Sequence, residues 1–305
     1  MTHQDLPEHP HRLDDRSAPE LGDPVVPAMR WILGAAAVLV FLAGVQLFVF
    51  PLDTETRFAW TIPVPMTAVF LGASYWAAVG LEVSGALARR WAVARVAVPA
   101  VFVFTSLTLV ATLAHLHKFH LMGEHPAATR AVAWGWLVVY AVVPVLMALA
   151  WWRQRRAGTA VPPPAGLPTP LRAILAALAV VLTTLGVALF VAPTTADVAW
   201  PWQLTPLVGM AVGAWNFGLG VAAGHAYLVN DAPSLVPIGI TGVLFGVLQT
   251  VALLRFGDAV DWSTAAGVGY LVGLATITVV GVWLLAAASA AKTRALDATN
   301  VAGDR

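Results

Sequence analysis

Polar and apolar residues along this chain are sorted into blocks rather than interleaved. Eight blocks are apolar nearly throughout: Trp31–Phe50, Pro65–Ala86, Val93–Leu116, Ala131–Trp152, Leu171–Val191, Pro206–Leu228, Leu235–Leu254 and Ala265–Ala287. About 20 residues of helix cross the hydrocarbon core of a bilayer, and each block is that long. Lipid offers nothing to a bare N–H or C=O, so a spanning segment must be a helix or part of a closed barrel. Barrel strands alternate apolar with polar, and these blocks do not. The pattern predicts an all-α integral membrane protein with eight transmembrane helices.

The polar positions between the blocks set an expected orientation. Thirteen Lys and Arg fall on the side of the termini and even-numbered loops, including Arg89, Arg90, Arg95, Arg153, Arg155, Arg156 and Arg172. Four, Arg57, Lys118, Arg130 and Arg255, fall on the other. Basic residues stay in the cytoplasm, so both termini are expected there. Ten of the thirteen tryptophans sit at span ends, where indoles favour the lipid interface; Trp76, Trp215 and Trp283 do not. Residues 1–28 carry six acids and run into a full-length span. They read as a disordered cytoplasmic tail rather than a cleaved leader. Residues 291–305 read as a second tail.

The two halves resemble each other. Gly44-Val45-x-Leu47-Phe48-Val49-x-Pro51 returns as Gly186-Val187-x-Leu189-Phe190-Val191-x-Pro193, and Gly72-Ala73 returns as Gly213-Ala214. Ala59-Trp60 matches Ala199-Trp200, Thr112 matches Thr250, and Gly135-Trp136-Leu137-Val138 lines up with Gly269-Tyr270-Leu271-Val272. The matches keep order through all four spans. Four spans per unit is even, which predicts two tandem parallel repeats, residues 29–152 and 171–290, related by an axis along the membrane normal. The linker 153–170 holds five prolines and reads as extended chain. Gly209/Gly213, Gly220/Gly224, Gly242/Gly246 and Gly269/Gly273 have the spacing of close helix packing, of a dimer face, or of a thin-walled pathway.

Composition sharpens the class. The chain is 59% hydrophobic and 11% charged, with a net charge of +1, so its partner is a lipid bilayer and not nucleic acid. Zero cysteines exclude disulfides, thiol catalysis and thiolate metal sites. No Walker loop and no GxSxG occurs, and the sequence offers no catalytic constellation.

Ionisable residues inside spans are costly and therefore candidates for function. Glu82 and His225 lie at nearly equivalent depths in the two halves, where they could meet as a proton relay or cation site. Tyr75 and Asn216 are repeat counterparts at mid-bilayer and could line a cavity or bind helices together. Gln46 and Gln249 are the other polar residues there. Four of eight histidines cluster in 115–125. If the third helix continues, His117, His120 and Glu124 share one face and suit Zn or Cu. A haem needs a second axial ligand facing His115, and the second half offers Leu253 or Leu254 there, which argues against haem.

The phrases Ala59-Trp60-Thr61-Ile62, Pro65-Met66-Thr67-Ala68, Gly72-Ala73, Tyr75-Trp76 and His115-Leu116-His117-Lys118-Phe119-His120 resemble those of uncharacterised multi-pass membrane proteins of actinobacteria. That resemblance implies an eight-helix topology and no activity. The four-plus-four plan is also similar to that of haem A synthase, but the paired intramembrane histidines and Glu-x-x-His-Arg motif of that enzyme are missing. Three function classes remain: a small permease with its site at the repeat interface, a non-catalytic assembly or sensor component acting as a homodimer or with other membrane subunits, and a metal or redox protein.

Overall fold

Prolines in the first turn open five of the eight long helices, where their missing N–H costs no intrahelical bond and their fixed φ suits the helix. The computed structural model describes residues 22–303, with side chains to Asp297; residues 1–21, most of the expected N-terminal tail, lie outside them. The long helices are α1 (Pro27–Val49), α2 (Pro65–Leu87), α3 (Trp91–Ala114), α4 (Ala127–Ala157), α5 (Thr169–Val191), α6 (Pro206–Val229), α7 (Pro233–Ala259) and α8 (Ala265–Gly303). All eight are long and apolar enough to cross a membrane, and no strand occurs among the described residues. α8 runs on as helix through Lys292, where the sequence reading begins a tail.

Burial sorts the helices into two rings. The spans of α2 and α6 are 72% buried and that of α3 is 56%, while α1, α4, α5 and α8 lie at 22–33%. α7, at 44%, completes an inner set with α2, α3 and α6. α1 packs on α2, α5 on α6, α2 on α7, α6 on α3, α3 on α4, and α7 on α8. Glycines allow close approaches of helix to helix. A Cβ on Gly72 would stand 2.5 Å from Phe48 N, and one on Gly213 would stand 2.7 Å from Phe190 N. Gly242 and Gly246 likewise abut α8, whereas Gly269 and Gly273 face open space. The close-packing reading of the glycine pairs therefore holds for some and not for the last.

The loops seal both ends. On the face away from the linker, Trp60 bridges Phe119, and His120 N donates to Ala59 O at 2.9 Å. Trp60 and Trp136 meet edge-on at 4.9 Å; Trp200, Trp202 and Tyr270 lie 5.0–5.8 Å apart. These four tryptophans are buried. Their position at span ends is as the sequence suggested, but the reason is different: they fill the core beneath the loops instead of facing lipid. Trp31, Trp134, Trp151, Trp152 and Trp262 do face outward.

On the linker face, buried Gln154 donates to Pro24 O (3.0 Å) and Gly158 O (2.8 Å) and accepts from Val26 N (2.8 Å). Asp23 takes Ala160 N, Asp231 takes Ala165 N, and Asn230 takes Leu167 N. Asn230, in the left-handed conformation at φ 49°, ends α6. The proline-rich linker is thus strapped across the end of the bundle by side-chain acceptors from both halves.

Candidate functional site

The inner helices do not close completely on one another. They leave a cavity of about 100 Å³, walled by α2, α3, α6 and α7 and backed by α5 and α8. The small residues Ala77, Ala78, Gly218, Ala222, Ala223 and Gly242 make the room, and Phe104, Trp215 and Phe245 shape it. Glu82 is on its wall and 3% exposed. It stands seven residues after Tyr75, two turns along the same face of α2. Three atoms of cavity-lining side chains, Glu82 Oε2, Trp215 Nε1 and Thr241 Oγ1, are buried with no hydrogen-bond partner among the described residues. Buried polar atoms are nearly always paired, so three orphans at one cavity are a distinct signal.

No basic side chain neutralises Glu82. The one ion pair among the described residues joins Arg57 to Asp53 at the surface, 3.4 Å apart. Arg90 donates instead to Gly22 O, so it does not reach back to the carboxylate. Further along α2, the Tyr75 hydroxyl shares a buried hydrogen bond of 2.8 Å with that of Tyr140.

A second cavity of about 230 Å³ lies toward the face away from the linker, lined by Trp200, Asn216, Gly269, Tyr270 and Gly273. Leu182, Leu219, Phe245 and Ile277 belong to the walls of both. Between them runs a polar chain: Tyr270 OH donates to Gln249 Oε1 (3.1 Å), and Gln249 Nε2 donates to Phe70 O (3.0 Å) and Ser74 Oγ (3.2 Å). The two cavities are thus neighbours that share an apolar part of their walls.

The structure does not pair the sequence candidates as their spacing suggested. His225 lies against Arg95, not Glu82, and its Nε2 is also without a partner. Tyr75 bonds Tyr140, while Asn216 donates to Val212 O in its own helix and lines the second cavity. The third helix ends at Ala114, with a 3-10 turn at Leu116–Lys118, so His117, His120 and Glu124 are not presented on one helical face. His117 and Glu124 are exposed, while His120 is buried. Its Nδ1–H donates to Phe58 O (3.0 Å) and Nε2 accepts from Thr61 Oγ1 (3.1 Å), which leaves no free lone pair for a metal. No group of three metal-type side chains is assembled among the described residues. Burial makes the His120 ring harder to protonate than an ordinary histidine. The neighbouring His125 ring, tilted and 4.0 Å away, adds to this, and the Phe58 carbonyl and Glu55 oppose it.

Trp215 and Thr241 were not among the sequence candidates. Trp215 carried a signal, since it sits away from the interface where most tryptophans of this chain fall. Thr241 carried none, because a hydroxyl in a membrane helix usually bonds its own backbone, as Thr105 and Thr112 do. Set against known protein families, curated proteins and solved structures, the chain matches none.

Proposed function

We propose that this protein is a small permease of the bacterial plasma membrane, with the central cavity around Glu82 as its transport site. Glu82 carries the reading. A carboxylate inside a membrane bundle is costly, and no cation among the described residues offsets this one. A residue kept at such a cost fits a site whose partner comes and goes. The second cavity, which shares four apolar wall residues with the first, supports the same reading, since a permease needs room on both sides of a gate. His225, Tyr75 and Asn216 stay within this reading as side chains flanking the path. Asn216 lines the second cavity, Tyr75 packs against the cavity-lining Trp215, and His225 lies beyond both linings.

The reading includes two tandem repeats, residues 29–152 and 171–290, joined by the linker 153–170. Two observations support it. Exchanging the halves turns each helix pair into another that also packs: α1·α2 into α5·α6, α3·α4 into α7·α8, and α2·α7 into α6·α3. Gly72 against Phe48 and Gly213 against Phe190 are the same contact at matching positions. Repeats related by an axis along the membrane normal commonly enclose a transport site at their junction. Both termini and the linker are placed in the cytoplasm by the basic residues. The actinobacterial resemblance belongs to this reading as its expected source.

Absence of cysteine makes the test free of background. Ala78→Cys and Ala222→Cys, each on the cavity wall, are labelled with a membrane-impermeant maleimide from either side of sealed vesicles. A permease exposes its site to both sides in turn, so modification from both is expected. Modification from one side only, or from neither, would sink the permease reading in favour of a sensor or assembly component.

A further inference from the structure

A lone carboxylate in an apolar cavity is tolerated when a proton or a cation neutralises it. No lysine, arginine or histidine lines this one among the described residues, so the neutralising group comes from outside. The rest of the wall decides which cation fits. A hard metal ion takes six or more oxygens. The cavity side chains that offer oxygen are Glu82, Thr241 and Ser74, and the Ser74 hydroxyl is already engaged with Phe70 O and Gln249 Nε2. An inorganic ion would be left undercoordinated.

The aromatic and apolar surface favours an organic cation. The Trp215 ring lies 4.1 Å from that of Phe104 and 5.0 Å from that of Tyr75. Such faces attract a cation most strongly when water is excluded. The orphaned Trp215 Nε1 and Thr241 Oγ1 offer further polar contacts to a ligand or its water. The volume, about 100 Å³, is about that of three waters at ~30 Å³ each, so the cation must be small.

Building on the permease reading above, we propose that the central cavity is an exchange site for a small monovalent organic cation, an alkylammonium, which Glu82 holds in alternation with a proton. One carboxylate neutralises one charge at a time. When the ammonium enters, the O–H bond of the Glu82 carboxyl breaks, the electron pair stays on the carboxylate, and the proton leaves to water. The site is neutral before and after. One cation therefore moves against one proton, and the cycle answers to a pH difference and not to voltage.

Tetramethylammonium is a suitable probe because its charge is permanent and it has no proton of its own, so a proton released on binding comes from the protein. The full-length protein in weakly buffered detergent solution, with a pH dye, is titrated with tetramethylammonium chloride. One proton released per cation bound is expected, with none released by sodium or potassium chloride. Glu82→Gln is expected to release no proton and to bind at least tenfold more weakly. Glu82→Asp keeps the release, and Trp215→Leu keeps the release but loses at least tenfold in affinity. The proposal is overturned if tetramethylammonium does not bind, if it binds without releasing a proton, if Glu82→Gln binds as well as the native chain, or if sodium releases protons equally. Two-sided labelling at positions 78 and 222 without proton release removes the ligand assignment and leaves the permease. Proton release with one-sided labelling removes transport and leaves the ligand.

Discussion

At the scale of single residues, side chains of similar hydropathy have opposite fates because of what stands beside them. Tyr75 and Tyr140 satisfy each other at 2.8 Å. Tyr75→Phe or Tyr140→Phe alone strands a buried hydroxyl and should cost about 1 kcal/mol, while the double variant should cost less than the sum of the two. A double-mutant cycle of melting temperatures in detergent checks this; strict additivity would show that the bond contributes nothing. Glycines divide in the same way. Gly213→Val drives a Cβ against the Phe190 backbone and should cost about 1–3 kcal/mol or more, because backbone cannot step aside. Gly135→Ala meets nothing within 4 Å, and its effect should stay within about 1 kcal/mol and lean towards stability. Sequence alone marked Glu82 and the repeated Gly72 and Gly213, since charge in lipid and exact recurrence can both be read from a string. It paired Glu82 with His225 because depth was legible and rotation about the helix axis was not.

At the scale of elements, span positions were legible to within a few residues, because a long apolar run has few alternatives. Helix ends were less so. Continuing the third helix through His117 was reasonable by composition, yet the chain turns at His115 so that Phe119 can join the Trp60 bridge and His120 can reach Phe58. That loop should respond to acid. The folded His120 ring takes a proton less readily than the same ring in an opened loop. Near neutral pH both are neutral, and the loop is at full stability. As pH falls below about 6.5, the opened state binds the proton first and closure weakens. Hydrogen exchange at residues 58–62 and 119–121 should therefore quicken between pH 7.5 and 5.5 relative to the intrinsic rate. His120→Gln should remove most of that dependence; an unchanged slope would show that His120 is not its source.

At the scale of the whole molecule, the arrangement of eight helices rests on their pairing, and their direction across the membrane rests on charge. Single cysteines at Thr159, Asp197 and Asp261 check the direction. Positions 197 and 261 should label from outside and 159 only after the membrane is opened. Outside labelling at 159 would invert the topology and leave the fold untouched. The linker is where the sequence reading of extended chain fell short of the physical role. Five prolines indicate stiffness, but they cannot say that Asp23, Asn230 and Asp231 would reach across to hold it. Asp231→Ala with Asn230→Ala should loosen the strap and raise proteolysis within 158–167 without unfolding the bundle, measured by limited digestion beside a melting curve.

Ala223 also stands on the wall of the central cavity, and under the two-repeat reading proposed above it is the residue that would answer Glu82 in the other half. A symmetric dimer of four-helix chains must furnish its axis with charges in pairs, and two carboxylates confined together would contend for one proton. Joining two copies into a single chain lifts that arithmetic. One half can keep the acid while the other keeps a methyl group, so an odd charge number becomes available to a shape that remains nearly even.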